Sequence, residues 1–376
     1  MVEQWQRAVR KAVWQQLMLE RDERHPLVRS ILLAASFAYG SIAAFRRSHY
    51  ASQPRQVLPL RTISFGNVTW GGTGKTPCLH FVARRLAAKN HPLMLVSRGY
   101  GDDEWRVFAS EFPGNFLALG KERYRNVMML VESQRVPENT VALVDDGFQQ
   151  YSLHKDLDIV MINAYNPFGS GALLPEGQLR ELPEEALPRA DIVILHHADN
   201  LSTSARVALE AKIRPMLKSS ALLATSRMRL TALPAAADAA ACVQNREAPL
   251  PAVNEQDATL IVGLCGIGCP ASFRDVLVRA FPQCEVLMQV FPDHYDYSSA
   301  DVDLVVATIE ATRGSRNVVA VVTEKDFYRS QALLQAHLAA YDLRVALCQL
   351  ELVQERDAVL GRIDALLDQP LRRRQG

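Results

Sequence analysis

Residues 66–77, GNVTWGGTGKTP, bring together the residue types that hold a polyphosphate. Gly71, Gly72 and Gly74 free the backbone to curl, so that successive N–H groups point at phosphate oxygens. Lys75 is placed to reach the β- and γ-phosphates, and Thr76 offers a hydroxyl to Mg2+. The loop follows the β-like run RTISF. It precedes a run in which Leu79, Val82, Ala83 and Leu86 form a helical stripe. A helix starting here adds the positive end of its dipole, and Pro77 is tolerated in its first turn. The spacing departs from G-x-x-x-x-G-K-[ST] at the first glycine, which falls on Thr69. Thr69, Trp70, Gly71, Gly72, Thr73, Gly74, Lys75 and Thr76 are thus the expected nucleotide contacts. Such a loop needs an acidic partner at the end of a neighbouring strand, and VALVDDG at 141–147 supplies Asp145 and Asp146. One carboxylate, with Thr76, is expected to hold Mg2+. The other orients a nucleophile or caps a helix.

These groups need a scaffold that gathers strand ends. The chain has 376 residues, enough for two packed lobes. Short β-branched runs at Arg61–Phe65, Leu93–Ser97, Val141–Val144, Leu157–Ile162 and Asp191–Leu195 alternate with helical stretches. That pattern predicts an α/β fold, a mostly parallel sheet with helices on both faces. A second alternating block, Thr259–Leu264, Glu285–Val290, Val318–Val322 and Arg344–Leu350, predicts a smaller α/β lobe. The expected organisation is an N-terminal helical segment over 1–54, a P-loop lobe over 55–230, an Ala/Pro-rich linker or insertion over 231–256, and a C-terminal lobe over 257–376. Ligands in such sheets sit at the carboxyl ends of strands, so the site is expected between the lobes.

Lys and Arg number 42 against 41 Asp and Glu, a net charge of +1, without the basic excess of a nucleic-acid binder. The six cysteines are scattered and form no disulfide framework, which suits a reducing compartment. Cys265 and Cys269 are four apart, but two thiols do not close a tetrahedral metal site. The first 25 residues show no secretory signal. Arg7, Arg10 and Lys11 give them a presequence-like face, which Glu3, Glu20, Asp22 and Glu23 oppose. The apolar run Ile31–Phe45 follows Arg29 and precedes Arg46 and Arg47. As a helix it reaches about 22 Å, short of the roughly 30 Å hydrocarbon core. Composition leaves two readings open: a helix packed on the protein, or one dipped into a single leaflet.

Taken together, these motifs resemble the tetraacyldisaccharide 4'-kinase (lipid A 4'-kinase) family from about residue 29 to 330. GNVTWGGTGKTP and SRGY at 97–100 look like its opening signature, and the Trp70 form of the loop looks like the plant-type branch. DDGFQQYSLHKDLDIVMIN at 145–163 resembles its DDG-x-Q-H block, with Gln150 where His is frequent. NPFGSGALLPEGQLRE at 166–181 resembles the segment leading to LP-x-G-x-LRE, with Gln178 for Pro. FPDHYDY at 291–297 and VVTEKD at 321–326 complete the set.

The resemblance implies a two-lobed P-loop kinase with an N-terminal membrane helix. It implies ATP and Mg2+ as cofactors, with phosphorylation of the 4'-hydroxyl of a tetraacylated glucosamine disaccharide 1-phosphate in lipid A synthesis. Membrane contact through residues 28–47 becomes the favoured reading. The protein would be peripheral: on the cytoplasmic face of the inner membrane in a bacterium, in the mitochondrion in a plant or alga. The family's catalytic Asp aligns with Asp103, followed by Glu104, with Asp102 as the other choice. Its partner is the His of Asp293-His294. An alcohol needs a base, and an Asp–His pair supplies one. Arg180 is a candidate forked cation for phosphate, and Lys325 a candidate nucleotide contact. His196 and His197 have no assigned role. A nucleotide-switch GTPase or ATPase is the rival class, but a guanine-reading N-K-x-D is missing where TEKD stands. A soluble small-molecule kinase is a second rival, and it has no need of the arginine-bracketed helix.

Overall fold

The computed structural model describes residues 26–99, 102–133, 135–243, 259–293 and 295–369, without the side chains of 102–104. Among the described residues eleven strands form one sheet in the order β3-β2-β4-β1-β5-β6-β7-β11-β10-β8-β9. The first lobe holds β1 (Arg61–Asn67), β2 (Leu93–Ser97), β3 (Phe116–Leu119), β4 (Val141–Asp145), β5 (Leu157–Asn163) and β6 (Ile192–His196), all paired in parallel. Its strands are buried on both faces, as parallel strands under helices must be. On β2, Leu93 and Leu95 enter the core beneath α2 (Lys75–Ala88), while Met94 and Val96 enter the opposite one beneath α4 (Arg123–Ser133). The helix α3 (Asp102–Glu111) covers the same face as α2, and α5 (Thr203–Ile213) follows β6.

The second lobe contains β8 (Thr259–Cys265), β9 (Glu285–Val290) and β10 (Asn317–Thr323). Its helices are α6 (Pro270–Ala280), α7 (Ser299–Arg313) and α8 (Glu324–His337). Two long strands join the lobes. β7 (Leu222–Ala232) starts parallel to β6 and then runs antiparallel to β11 (Asp342–Gln354). β11 in turn starts parallel to β10. A register shift at Leu347/Cys348 marks where it passes from one lobe to the other.

Two expected boundaries move. The Ala/Pro-rich stretch is not a free linker in its described part: Ala232, Ala236, Ala239 and Val243 are buried in the second lobe's core. Residues 244–258 lie outside the described residues. Residues 350–368 leave the expected 257–376 lobe, because Leu350 and Leu352 of β11 share the first lobe's core with Val359, Ile363 and Leu366 of α9 (Arg356–Asp368). Apolar periodicity reports that a helix buries one face, not which core receives it.

The N-terminal helix α1 (Pro26–Ala51) has 26 residues, about 39 Å, and is long and apolar enough to cross a membrane by length and composition. It extends the 31–45 run at both ends. A narrow face, with Ser36 buried and Tyr39, Gly40 and Arg47 half-buried, docks on residues 173–185. The rest carries Leu27, Ile31, Phe37, Ile42 and Phe45 outward, with Phe37 80% and Phe45 70% exposed. Residues 1–25, and with them the presequence-like face, lie outside the described residues.

Candidate active site

The phosphate loop leaves the carboxyl end of β1, next to the end of β4. Two amides pin its second half. Asn67, the last residue of β1, donates from Nδ2 to Thr73 Oγ1 at 3.0 Å, and Asn163, the last residue of β5, donates to Gly72 O at 3.1 Å. The first half forms a short antiparallel rung instead. Trp70 N–H donates to Gln178 O at 2.7 Å, and Arg180 N–H to Val68 O at 2.8 Å. Thr69 is buried against Leu179 in this rung and does not line the cleft. Trp70, 64% exposed, does. Gly74, at φ 86°, closes the loop and starts α2, a conformation that penalises any Cβ.

His196 fills the space behind Gly74, where an added Cβ would lie 2.3 Å from its ring. Its Nδ1 is 2.8 Å from Ser226 Oγ. Burial, with His197 beside it, drives the His196 imidazole well below its usual pKa. Burial lowers His197 to about 4, against the pull of Asp199 and Asp275. Both rings are therefore neutral near pH 7.

Lys75 Nζ lies 3.8 Å from Asp146 Oδ1, and Arg180 Nη1 lies 2.6 Å from the same oxygen. Burial alone would raise the Asp146 carboxyl. Lys75 and Arg180 outweigh it and hold the group below the usual carboxylate range. Arg123, buried beneath, fixes the acidic turn by donating to Asp145 O at 2.7 Å and Asp146 O at 3.1 Å. Ser97 Oγ is 3.4 Å from Asp145 Oδ2. Asp146 is engaged by two cations, and Asp145, beside Ser97, lines the same cleft as Thr76. Among the described residues no three His, Cys, Asp or Glu side chains gather as an all-protein metal cage. A hydroxyl and a carboxylate at a phosphate loop are instead the hard, sparse donor set that suits Mg2+, whose remaining ligands are phosphates and water.

The second lobe closes the cleft. Its 266–269 loop meets the phosphate loop backbone to backbone, and a Cβ on Gly268 would lie 2.1 Å from Gly72 N. Tyr165 and Asp199 of the first lobe bond Asp275 and Arg279 of α6. On the other side α3 packs on α8. The cleft measures about 620 Å3, and Arg98, Asp293, Glu324 and Lys325 contribute to its wall. Lys325 Nζ is 3.6 Å from Asp293 Oδ1. Asp326 of the TEKD string is fully buried and accepts from Gly266 N and Thr323 Oγ1, so it is not presented to a base as a guanine reader would be.

The structure thus brings Lys75, Thr76, Asp145, Asp146, Arg180 and Lys325 to one cleft. Asp102, Asp103 and Glu104 lie in the first turn of α3, their side chains outside the described set, and His294 lies outside the described residues. Asn67, Asn163, Arg123, His196 and the 266–269 loop are supports that sequence reasoning missed. For the two asparagines a signal was present: each ends an apolar strand on the side where ligands bind.

Comparison with known proteins bears on this cleft. The family model described as Tetraacyldisaccharide-1-P 4'-kinase matches residues 28–111 and 102–367. A tetraacyldisaccharide 4'-kinase of Anaeromyxobacter sp. (strain K) is 33% identical over 373 residues, covering 89% of this chain and 90% of the relative. A probable mitochondrial tetraacyldisaccharide 4'-kinase of Arabidopsis thaliana is 26% identical, covering 93% of each. Among solved structures, the "apo" form of LpxK from Aquifex aeolicus in complex with ATP superposes with a TM-score of 0.60 at 23% identity. That match covers 89% of this chain and 99% of the other.

Proposed function

The chain belongs to the tetraacyldisaccharide-1-phosphate 4'-kinase family, and from that membership and the cleft we propose that it moves the γ-phosphate of ATP to the 4'-hydroxyl of a tetraacylated glucosamine disaccharide 1-phosphate, a step in lipid A synthesis. The observation that carries the reading is the convergence of Lys75 and Arg180 on Asp146 at a glycine loop, in a cleft between two lobes. The loop amides and the α2 N-terminus cradle the β- and γ-phosphates. Lys75 and Arg180 neutralise charge as it spreads over the transferring phosphoryl oxygens. Asp146 holds both cations in place. Thr76 and Asp145 would hold Mg2+, which neutralises further phosphate charge. Asp103, paired with His294, takes the proton of the sugar hydroxyl as its oxygen bonds to phosphorus and the bond to ADP breaks. Lys325 is a further nucleotide contact, and Glu104 contributes to acceptor binding. The exposed apolar side of α1 lies in the membrane surface, with residues 28–47 at the headgroups, and the acceptor arrives from that surface. This makes the protein peripheral to a membrane, the inner leaflet of a bacterial inner membrane or a mitochondrial one.

The test is transfer of radiolabel from [γ-32P]ATP to the tetraacylated disaccharide 1-phosphate in mixed micelles, beside soluble sugars and a lipid-free control. Label in the lipid at the 4' position is the expected result. Label in soluble acceptors alone, or phosphate release without acceptor, overturns the reading.

A further inference from the structure

We infer that α1 braces the active centre as well as contacting the membrane, and that Tyr39 and Ser36 are positioning residues for Arg180. Arg180 is held at three points. Its N–H donates to Val68 O of the phosphate-loop strand at 2.8 Å. Its guanidinium is 2.6 Å from Asp146. Its carbonyl accepts from the Tyr39 hydroxyl of α1 at 3.1 Å. One residue therefore touches the loop, the acidic turn and the exposed apolar helix.

The segment leading to Arg180 is fastened to the same helix. Ser36, buried on α1, donates to Leu173 O at 2.9 Å and accepts from Glu176 N at 3.0 Å. Gly40 lets the helix come close, since a Cβ there would lie 2.7 Å from Leu173 Cδ1. Arg47, two turns further along the same face, pairs with Glu185 at 2.8 Å and lies 3.6 Å from Glu181, the residue after Arg180. Positions 36, 40, 43 and 47 recur at helical spacing, and each is at least half-buried. Residues 173–181 are thus clamped between the phosphate loop and α1.

The consequence is mechanical. A helix seated in the membrane surface and a loop holding ATP grip one short segment, so the height of the transferring phosphate above the membrane is set by that segment. Loosening the α1 grip should leave Arg180 chemically intact but imperfectly placed, which lowers turnover rather than ATP binding. This rests on the phosphate-neutralising role given to Arg180 above.

The experiment uses the full chain, with kinetics in mixed micelles of the tetraacylated disaccharide and flotation on phosphatidylethanolamine–phosphatidylglycerol vesicles. Tyr39→Phe removes the hydroxyl while keeping the ring, and should lower kcat by on the order of threefold to tenfold, the worth of one hydrogen bond. KM for ATP and flotation should stay at wild-type values, and the melting temperature should fall by no more than a few degrees. Ser36→Ala should act in the same direction, and Ser36→Thr, which restores a hydroxyl, should recover part of the loss. In an Arg180→Ala background Tyr39→Phe should add less than about twofold, because both act through one group. A full-speed Tyr39→Phe beside a crippled Arg180→Ala overturns this inference alone. So does a multiplicative double mutant, or a kcat loss that tracks lost flotation. A full-speed Arg180→Ala removes the role proposed for Arg180 instead.

Discussion

The backbone contact between the lobes yields a sharp perturbation, Gly268→Ala. Gly268 stands outside the phosphate loop, between β8 and α6, so the substitution removes no phosphate contact. An added Cβ would meet Gly72 N at 2.1 Å and Gly72 Cα at 2.6 Å. Ordinary contact begins at 3.4 Å, so the two loops must part by about 1.3 Å. Both obstructing atoms are backbone, and the phosphate loop is pinned by Asn67 and Asn163, so neither side yields by rotating a side chain. A misplacement of about 1 Å between groups that must meet in the transition state costs on the order of 10²-fold. Gly268→Ala should therefore lower kcat about a hundredfold. Its melting temperature should stay near the wild-type value, since the clash falls on the Gly72 backbone and not on a buried apolar side chain. ATP binding, measured by titration calorimetry without acceptor, should weaken far less than turnover falls. A variant turning over within threefold of wild type would show that the lobes need not touch during transfer.

Lys75→Ala should cost at least about 10²-fold in kcat, as removal of a transition-state charge donor does, with the circular dichroism spectrum unchanged; turnover within tenfold would remove Lys75 from the chemistry. Asp103→Ala and His294→Ala should each lower kcat by on the order of 10²–10⁴, and the double variant should be hardly worse than either single one; multiplicative losses would argue against a pair. Phe37→Ser with Phe45→Ser, on the exposed face of α1, should reduce flotation on vesicles and raise KM for lipid more than KM for ATP, whereas undiminished flotation would make that face structural. His197 has its folded pKa depressed from 6.5 to about 4 by burial. Below pH 6.5 the unfolded chain takes up a proton that the folded chain refuses, so stability falls as pH drops toward 4. Between pH 7 and pH 5 this group contributes a loss of about 2 kcal/mol. His197→Asn, which tolerates the φ of 63° at this position, should remove this group's share of the slope and leave that of His196 in urea titrations at the two pH values.

The parallel strands were legible because each is a short apolar run closed by a polar or glycine-containing turn: β1, β2, β4, β5 and β6 lie within a residue or two of their expected bounds. The strands that escaped reading carry a different signal. β3 has four residues, too few for a period to register. β7 reads LLATSRMRLTA, with Ser226, Arg227 and Arg229 interrupting the apolar run, because its second half lies in the antiparallel ribbon between the lobes. Arg227 is exposed enough there to pair with Glu351 across the strands. That ribbon decides which lobe receives the chain's last helix, which is why the domain boundary near 257–376 could not be read from pattern alone.

For the site, the asymmetry has a physical cause. A phosphate loop is built from neighbours in sequence, so spacing alone reveals Gly71 to Thr76. The acidic turn is likewise local. The supports are not. Asn163 reaches Gly72 across 91 positions, Ser36 reaches Leu173 across 137, and Tyr39 reaches Arg180 across 141. Helical and strand periodicities act over two to four residues and carry no information at that range. Each of these contacts falls at one side chain, so composition does not register it either. Tyr39 shows the consequence. In sequence it is one more aromatic residue in an apolar run bracketed by arginines, a run whose composition fits packing on the protein as well as contact with one leaflet. Its hydroxyl is the feature that sets it apart. A buried phenol needs a polar partner, so a tyrosine within a run that otherwise faces outward implies a docked stripe on that helix. In the fold the partner is the backbone carbonyl of the arginine that grips the acidic turn.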